Sequence, residues 1–460
     1  MLGLVKPPEV ADQSLNLSAS DYNLLTDLYQ ATMSACYLNE NLAEIPASFE
    51  LTVRRLPAKF GYLVAMGLAQ VLDYLQNLKF TDQQIQYLQE TDLFSHAPTQ
   101  FWSMLEQGRF TGDVWAVPEG TPIFANEPFL RIEAPLWQAQ WVETFILNTI
   151  NYQTLIATRA ARLRDAAGPD ATVLEFGTRR AFGPQASVWA ARAALAAGLN
   201  ATSNVLAAQK LGRTPSGTMA HALVMAMTAT QGTELQAFTA FHRTFPQAAL
   251  LIDTYDTLAA AQTLAEKVKA GELEVPAIRL DSGNLVELSQ QIHQLLPKAK
   301  IVVSGDLDEQ EILRLRQAGA YINGYGVGTK LVTGSPVNGV YKLVDIDDKP
   351  VMKEANGKIT YPGRKQIFRQ FHQGQVIQDQ LGLINDAAPV GQPLLQPVMK
   401  AGQCLTSPES LETIAQRTLA SVQSLSAEVR CVANPVSLPI HLSTDLQALT
   451  AATRRTSEAA

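Results

Sequence analysis

The sequence is poor in cysteine. Its 460 residues contain three, Cys36, Cys404 and Cys431, and they stand far apart. An odd and scattered set argues against a disulfide framework or a zinc knuckle, and it favours a reducing compartment. No apolar run reaches the roughly 18 residues that a membrane-spanning helix needs. The opening residues, MLGLVKPPEV, are too short and too interrupted by proline for a signal peptide. We therefore expect a cytoplasmic protein without a membrane partner.

Positive charge is also scarce. The chain has 36 lysine and arginine residues against 43 aspartate and glutamate residues, a formal net charge of −7. This balance argues against nucleic acid or an acidic membrane surface as a partner. A hydrophobic fraction of 47% with 17% charged residues is typical of a soluble globular protein with a large core. The length predicts two or three domains, or one large barrel with a smaller companion.

The middle of the chain, 141–335, has a regular pattern. After a long predicted helix that ends at Gly168, apolar strand-like segments alternate with helical ones. Such alternation implies parallel strands with right-handed crossovers, and a barrel is the natural closure at this number of repeats. The predicted strands are 171–176, 247–254, 276–282, 300–306 and 321–329.

The two ends of the chain share a different pattern of predicted secondary structure. Residues 1–140 mix predicted helices, such as 24–38 and 61–80, with short strands. Residues 336–460 contain short strands, one helix over roughly 406–424, and a polar, alanine-rich tail after Ser443 that we expect to fray. This common pattern predicts that the two ends form one discontinuous mixed α/β domain.

Polar residues gather directly after the predicted strands of the middle region. In a parallel barrel these positions share the C-terminal rim, where active sites form. A single aspartate after a strand is more often a helix N-cap than a functional group, but five such strand ends on one rim indicate a site. The residues are Glu175, Asp253, Asp281, Ser304-Gly305-Asp306 and Gly326-Val327-Gly328-Thr329.

The residue types at this rim suit a phosphorylated sugar. Gly-Val-Gly-Thr allows a phosphate to approach the backbone closely. Asp281-Ser282-Gly283 and Ser304-Gly305-Asp306 add carboxylates, which suit diol binding or Mg²⁺. Arg279 points to the same side of its strand as Asp281 and suits an anionic or carbonyl ligand. The alternative is an internal ion pair between the two.

His221 stands out among six histidines. It ends a polar turn, TPSGTMAH, and opens a predicted helix, where exposed N–H groups favour an anion such as a phosphate. The alternative is a packed histidine on an alanine-rich helix. Phe176 and Tyr29 are either core aromatics or platforms for a flat ring. Arg179 or Arg180, just after Phe176, could reach a phosphate.

Eleven short motifs, in order over about residues 22–370, resemble nicotinate phosphoribosyltransferase. The resemblance implies an irregular α/β barrel of the type II phosphoribosyltransferase kind, with a second mixed α/β domain built from N- and C-terminal segments. It also implies a homodimer with shared active sites. The motifs are LLTDLYQATM, FGYLVAMGL, LEFGTRRAFGP, ATSNVLAAQKLG, SGTMAHA, LLIDTYDTL, IRLDSGNL, SGDLDE, GYGVGT, GVYKLV and PGRKQIFR.

The implied reaction joins nicotinate to 5-phosphoribosyl 1-pyrophosphate. It gives nicotinate mononucleotide and pyrophosphate, with ATP as co-substrate and Mg²⁺ on the leaving group, as an entry step of NAD biosynthesis. By resemblance, His221 is the residue that ATP phosphorylates, and Asp253 orients its imidazole.

The resemblance also implies substrate-binding residues. Phe176 matches one pyridine-stacking aromatic, and Tyr29 matches the other, supplied by the neighbouring subunit. Three residues match positions near the pyridine carboxyl group and the sugar phosphates: Arg179, Thr218 and Arg279. The ribose and pyrophosphate side matches Asp281, Gly305 and Asp306, with Ser282, Gly283 and Ser304 beside them. The 5′-phosphate cradle matches Gly326, Gly328 and Thr329.

Two positions bear on the choice of base. Relatives that use nicotinamide carry an aspartate where Ser203 stands, and a carboxylate there would repel nicotinate. In the opposite direction, Asn284 stands where nicotinate enzymes usually have aspartate. We expect a nicotinate enzyme because Ser203 bears on the charge of the substrate. The alternatives are a nicotinamide enzyme of the same fold, an isomerase or aldolase with Glu175 as its base, and a non-catalytic binding protein. Lys330, after GVGT, departs from the family pattern without an evident role.

Overall fold

The computed structural model describes residues 15–355, 358–386 and 390–459, with side chains up to 455. Its helices and strands are labelled in chain order. The α-helices are α1 (Leu28–Asn39), α2 (Leu68–Asn77), α3 (Asp82–Gln89), α4 (Gln100–Gln107), α5 (Leu136–Trp141), α6 (Glu143–Ala167), α7 (Pro184–Ala196), α8 (Val205–Lys210), α9 (His221–Gln231), α10 (Glu234–Thr244), α11 (Thr257–Lys269), α12 (Leu285–Leu295), α13 (Glu309–Gln317), α14 (Thr329–Val332), α15 (Leu411–Gln423), α16 (Ala427–Arg430) and α17 (Thr444–Ala459). Short 3₁₀ helices cover Ala19–Asn23, Asp92–Phe94 and Thr178–Arg180.

The strands form two main sheets and three smaller ones. They are β1 (Pro46–Val53), β2 (Leu63–Val64), β3 (Asp113–Ala116), β4 (Pro122–Ile123), β5 (Pro128–Pro135), β6 (Thr172–Glu175), β7 (Ala201–Thr202), β8 (Leu250–Leu251), β9 (Ala277–Leu280), β10 (Lys300–Val303), β11 (Gly324–Val327), β12 (Gly339–Ile346), β13 (Lys349–Pro350), β14 (Lys353–Ala355), β15 (Lys358–Thr360), β16 (Lys365–His372), β17 (Gln375–Leu383), β18 (Gln392–Pro393), β19 (Gln396–Lys400), β20 (Gln403–Cys404) and β21 (Ile440–Leu442).

The five predicted parallel strands form one six-stranded sheet together with β7. Its order is β7-β6-β11-β10-β9-β8, and every neighbouring pair is parallel. All five predicted strands are confirmed, although each is shorter than its apolar segment. Strand β7 and helices α8 and α10 lie where we predicted no element. Asn204, whose side chain accepts the N–H of Ala207, is the capping signal that marks the start of α8.

The two ends of the chain share the second main sheet, which confirms the discontinuous mixed domain. Its order is β13-β12-β1-β5-β3-β19-β20, and its neighbouring strands are antiparallel. N-terminal strands β1, β3 and β5 thus pair with C-terminal strands β12 and β19. A four-stranded sheet, β18-β16-β17-β21, comes entirely from the C-terminal part.

Helix α6 connects the two domains. It contacts α7, α13 and β6 of the parallel layer, and also β2 and β12 of the second domain. Its partner α7 is alanine-rich, and Ala190, Ala193 and Ala194 are fully buried. Small side chains on one helix allow a close approach to the other, so α7 supports β6 and the rim loop that follows it.

Two predicted segments differ from the structure. The expected frayed tail is wrong for the described residues, because α17 begins at Thr444 and fully buries Leu446 in the core of the second domain. The predicted helix over 61–80 is wrong at its start. Leu63–Val64 pairs with β4, and the helix begins only after Gly67, whose N–H donates to the Glu119 carboxylate at 2.6 Å. Among the described residues no helix has the length and apolarity to cross a bilayer.

A buried charge cluster lies between β16, β17 and the turn at Glu127. Arg369 donates to both carboxylate oxygens of Asp379, at 3.0 and 2.6 Å. Glu127, also fully buried, accepts the N–H of Phe124 at 2.8 Å. One guanidinium therefore faces two buried carboxyl groups. Burial first, and then the charge of Asp379, raise the pKa of Glu127 well above its ordinary value against the opposing effect of Arg369.

This cluster predicts a pH-dependent stability difference between wild type and Glu127→Gln. A raised acid pKa contributes stability that is complete below the unfolded pKa, near 4.5, and is lost as the pH rises through the folded value. Glutamine stays neutral, so the variant should gain on wild type by up to about 1.4 kcal/mol per pH unit across that window. Urea unfolding from pH 5 to 8 measures this. The exposed control Glu106→Gln should show a flat difference, and a flat difference for both variants would contradict the prediction.

Candidate active site

The strand ends of the parallel sheet meet at one rim, as predicted. Glu175 at the end of β6 pairs with Val327, and Val303 at the end of β10 pairs with Leu280 of β9. Because neighbouring parallel strands stand about 4.8 Å apart, the residues just beyond these pairs lie side by side. The rim therefore brings together Phe176, Gly328, Ser304 and Asp281.

The rim aspartates are not helix caps. The caps of the following helices come two or three residues later. Asp256 caps α11 and Asp308 caps α13, while Asn284 occupies the cap position of α12 without a side-chain cap bond. Asp253, Asp281 and Asp306 are thereby left for other roles. Helix N-capping, the commonest structural role of an aspartate after a strand, therefore does not explain these three residues.

Arg279 is the residue of the rim that connects the most separate segments, and we call it the hub of the rim for that reason. Its Nε donates to Ser304 Oγ at 2.8 Å, its Nη2 to Asp281 Oδ1 at 3.1 Å, and its Nη1 to the carbonyl oxygen of Met219 at 3.2 Å. The guanidinium carbon also lies 5.6 Å from the ring centroid of Phe176. One planar fork thus connects strands β9 and β10 with the loop that leads to His221.

The alternative of an Arg279–Asp281 ion pair is observed, and it is part of the site. The Asp281 side chain keeps about a third of its surface exposed. Burial tends to raise the pKa of Asp281, but the hydrogen bond from Ser304 Oγ, at 2.5 Å, and the charge of Arg279 outweigh it. Their combined effect holds the pKa of Asp281 below its ordinary value, so this rim carboxylate is ionised at neutral pH.

His221 is the first residue of α9 and is half-buried. Its Nδ1 lies 3.1 Å from Thr254 Oγ1. The predicted pairing of Asp253 with the imidazole is wrong in this structure, because Asp253 Oδ2 instead accepts the N–H of Asp281 at 2.8 Å and the hydroxyl of Ser282 at 2.7 Å. Sequence reasoning missed Thr254, although it stands next to Asp253 in the DTYD motif.

The Thr254 contact predicts a positioning effect. Thr254→Val keeps the side-chain shape but removes the hydroxyl on His221 Nδ1. If ATP phosphorylates His221, as the resemblance implies, we expect the rate of that transfer to fall about tenfold, the cost of one hydrogen bond. The measurement is single-turnover labelling with γ-labelled ATP. The control is Thr230→Val, an exposed change on α9, the helix that begins at His221, and it should leave the rate within about twofold of wild type. An equal fall in both variants would count against the Thr254 contact.

The ring of Phe176 packs directly against the backbone of β11. A Cβ added to Gly326 would lie 2.6 Å from two Phe176 ring carbons. Gly305 is similarly constrained, with a φ of +88° and a Cβ position 2.3 Å from the carbonyl oxygen of Asp281. The absence of a Cβ at these two glycines lets the Phe176 ring and the Asp281 backbone approach the neighbouring strand ends closely. Phe176 is half-buried, which leaves part of its ring available to a ligand.

Glu175 is not available as a base. Its carboxylate is almost fully buried, and it accepts the hydroxyl of Thr202 at 2.5 Å and the N–H of Gly177. These contacts fix the turn that carries Phe176. The isomerase or aldolase alternative required Glu175 as its base, so the structure removes the support for that alternative.

Ser203 lies beside Phe176. Thr202 of β7 pairs with Glu175 of β6, so the next residues of the two strands are neighbours at the rim. Asn284 follows β9, and three strands separate β9 from β7. Of the two positions that bear on the base, only Ser203 adjoins the aromatic that is predicted to stack on it.

The remaining predicted residues occupy the rim edge, except one. Thr218 lies in the loop before His221, Gly283 follows Ser282, and Thr329 is the exposed first residue of α14. Asp306 is exposed with a φ of +47°. Arg179 is exposed in the short 3₁₀ helix and has no ion pair among the described residues.

Tyr29 is the exception. It lies on α1 of the second domain, its side chain is 47% exposed, and the polar groups that act on its hydroxyl are Gln30, Asp27 and Glu143. The structure does not bring it to the rim of its own chain. Lys330 now has a partner, because its Nζ lies 3.5 Å from Asp308 Oδ2.

Comparison with known proteins agrees with this geometry. Three family descriptions match successive parts of the chain: the nicotinate phosphoribosyltransferase N-terminal domain over residues 24–151, the nicotinate phosphoribosyltransferase (NAPRTase) family over 171–373, and the C-terminal domain over 386–450. Nicotinate phosphoribosyltransferase pncB2 of Mycobacterium tuberculosis is 42% identical over 390 residues, 83% of this chain and 82% of that protein. The enzyme of Homo sapiens is 32% identical, covering 95% of this chain and 98% of its own.

Solved structures agree as well. The crystal structure of human nicotinic acid phosphoribosyltransferase has a TM-score of 0.81 at 29% identity, covering 93% of this chain and 99% of that chain. Nicotinate-nucleotide pyrophosphorylase from Pyrococcus furiosus shares the fold, with a TM-score of 0.73 at 24% identity. The parallel sheet, whose strand ends meet at one rim, and the second domain, which both ends of the chain build together, therefore define a phosphoribosyltransferase of the type II fold. Within that class, the chain belongs to the nicotinate phosphoribosyltransferase family.

Proposed function

We propose that this protein joins nicotinate to 5-phosphoribosyl 1-pyrophosphate, giving nicotinate mononucleotide and pyrophosphate in NAD biosynthesis. Similarity to enzymes of that name over most of the chain supports the reaction class. The single observation that carries the choice of base is the position of Ser203 beside Phe176. A neutral hydroxyl there accepts the carboxylate of nicotinate, whereas a carboxylate would repel it.

The rim residues have distinct parts in this reaction. As pyrophosphate leaves, the ribose gains oxocarbenium character, and the pyridine nitrogen forms the new bond to the same carbon. Asp281, ionised and held by Arg279 and Ser304, is suited to the ribose hydroxyls. Gly326 of β11 and Gly328 just beyond that strand, with Thr329, would let the 5′-phosphate approach the backbone closely. Most of the rate would then come from positioning and from fixed charges aimed at the changing groups.

ATP coupling is assigned to His221. In the tautomer whose Nδ1 donates to Thr254 Oγ1, 3.1 Å away, Nε2 keeps its lone pair for the γ-phosphorus of ATP. The N–P bond forms as the bond to ADP breaks, and water later releases inorganic phosphate from the imidazole. Residue 221 opens α9, where free N–H groups favour the added charge.

The donor set fits Mg²⁺ held jointly with substrate. No three His, Cys, Asp or Glu side chains in the described part of the chain are grouped to hold a metal alone. Mg²⁺ commonly binds through one or two carboxylates plus substrate phosphates. Asp253 Oδ1 is buried without a hydrogen-bond partner among the described residues, and Asp306 is exposed at the same rim, beyond β10. Either carboxylate would hold the ion together with the substrate phosphates, and the ion would neutralise charge on the leaving pyrophosphate.

A homodimer with shared sites accounts for the position of Tyr29, which is exposed and away from its own rim. The test mixes Tyr29→Ala and His221→Ala subunits after reversible dissociation. Each variant alone should be strongly impaired, whereas the mixture should recover about a quarter of ATP-coupled activity, because half the dimers carry one intact site. A double variant with both changes on one chain is the control. No recovery in a mixture shown to exchange subunits would refute shared sites.

The reaction itself is tested by product stoichiometry. Purified protein with nicotinate, 5-phosphoribosyl 1-pyrophosphate, ATP and Mg²⁺ should release pyrophosphate and ADP in proportion to nicotinate mononucleotide. Omission of 5-phosphoribosyl 1-pyrophosphate should stop pyrophosphate release. Absence of nicotinate mononucleotide from a folded preparation would refute the proposal. A cytoplasmic location is also proposed, supported by three unpaired thiols, and recovery of the protein among secreted proteins would contradict it.

A further inference from the structure

A cavity of about 280 Å³ lies on the second domain, on strands β1, β3, β5 and β12. We call it the acidic cavity. None of its lining residues belongs to the rim of the parallel sheet. Its charged lining consists of Glu44, Asp113, Glu133, Asp345, Asp348 and Arg364.

Strand register aligns three of these carboxylates in a row. Asp113 of β3 pairs with Glu133 of β5, Glu133 pairs with Ser48 of β1, and Ser48 pairs with Asp345 of β12. Residues directly opposite one another share a face of the sheet, so these side chains point the same way. Three strand spacings separate the ends of the row, a distance of about 14 Å.

The cavity has more negative charge than its own cation can balance. Arg364 lies 2.9 Å from Asp348 and 3.7 Å from Glu133, and Glu133 also pairs with Arg131 at 2.7 Å. Glu44, Asp113 and Asp345 have no ion pair among the described residues, although Asp113 accepts the N–H of Ala401. Three carboxylates of the lining therefore have no direct ion-pair partner among the described residues.

Asp345 is the most informative of the three. It is only 6% exposed, it lines the cavity, and no hydrogen bond or ion pair is made by its side chain among the described residues. Burial first, and then the charges of Asp348 and Glu133, raise the pKa of Asp345 against the opposing charges of Arg364 and Lys365. A buried carboxylate without a partner is costly. A cation in the cavity would remove that cost.

We propose that the acidic cavity binds a linear polyamine, with its ammonium groups along the row from Asp113 to Asp345. The row is three strand spacings long, about 14 Å, whereas a metal ion needs all its oxygen ligands within about 2.6 Å of the ion itself. The described residues also contain no group of three acidic side chains arranged to hold a metal. An extended cation with several charges matches the length of the row and would pair with Asp113 and Asp345, the two carboxylates of the row that have no ion pair among the described residues, whereas Glu133 between them already has two arginine partners.

The test is titration of the folded protein with spermidine, a triamine, by isothermal calorimetry at about physiological salt, where loose surface attraction is screened. Wild type should bind one equivalent. Asp345→Asn should weaken binding at least tenfold. The matched control is Asp347→Asn, a carboxylate on the neighbouring turn that does not line the cavity. Its affinity should stay within twofold of wild type.

A second variant keeps the test decisive if Asp345→Asn does not fold. Ser48 lies between Glu133 and Asp345 in the row, so Ser48→Lys places an ammonium group of the chain itself in the cavity. This variant should abolish spermidine binding and raise the melting temperature. The proposal is overturned if wild type does not bind, if Asp347→Asn weakens binding as much as Asp345→Asn, or if Ca²⁺ or Mg²⁺ displaces spermidine at a lower concentration than spermidine itself requires.

Discussion

The His221→Ala variant is expected to take up no phosphate from γ-labelled ATP, whereas wild type should carry an acid-labile phosphate. The reason is structural: residue 221 opens α9 at the rim, and Thr254 holds its Nδ1. Removal of the imidazole removes the nucleophile for the γ-phosphorus. ATP-dependent stimulation of nucleotide synthesis should disappear with it, leaving at most slow, uncoupled transfer supported by the other rim residues.

The matched control for this variant is His372→Ala. His372 is exposed at the end of β16, remote in sequence and in fold from the parallel sheet. It should label with ATP and turn over like wild type. Acid-labile phosphate that persists in His221→Ala would show that ATP phosphorylates another residue, and the proposed coupling would then be wrong.

Arg279→Lys should lower kcat/KM for 5-phosphoribosyl 1-pyrophosphate by about 100-fold, equivalent to about 2.7 kcal/mol of transition-state stabilisation. Lysine keeps the charge but replaces a planar fork with a single ammonium. It cannot reach Ser304, Asp281 and the Met219 carbonyl together, as Arg279 does. Asp281 and the loop before His221 would both lose a fixed contact.

The control is Arg314→Lys, an exposed arginine of α13 that pairs with Glu311. Its kinetics should match wild type. Thermal unfolding of both variants separates a loss of fold from a loss of catalysis. An Arg279→Lys protein that unfolds at the wild-type temperature and retains wild-type kcat/KM would contradict the role of Arg279 as the hub.

The rim could be predicted from sequence because parallel strands impose a rule on it. Once Asp253, Asp281, Ser304 and Gly326 are seen to end apolar segments that alternate with helices, their shared edge follows from topology. The discontinuous second domain could be predicted because both ends of the chain share a mixture of short strands and helices that differs from the alternating pattern between them.

Side-chain partnerships could not be predicted in the same way. Thr254 and Asp253 are neighbours in the chain, and only the path of the backbone after β8 decides which of them meets His221. The row from Asp113 to Asp345 depends on the register of strands from opposite ends of the chain. The tail after Ser443 looked polar enough to fray, but the burial of Leu446 orders it. Such contacts depend on tertiary distances that local patterns do not contain.

Direct competition between the two bases tests the central claim most directly. The protein is incubated with 5-phosphoribosyl 1-pyrophosphate, ATP, Mg²⁺ and equimolar nicotinate and nicotinamide, and both mononucleotides are measured by mass spectrometry. The position of Ser203 beside Phe176 leaves no carboxylate there to repel an anionic base, and the Arg279 guanidinium carbon, 5.6 Å from the Phe176 ring centroid, attracts one; together they predict nicotinate mononucleotide as the main product. A product consisting mainly of nicotinamide mononucleotide would contradict the account.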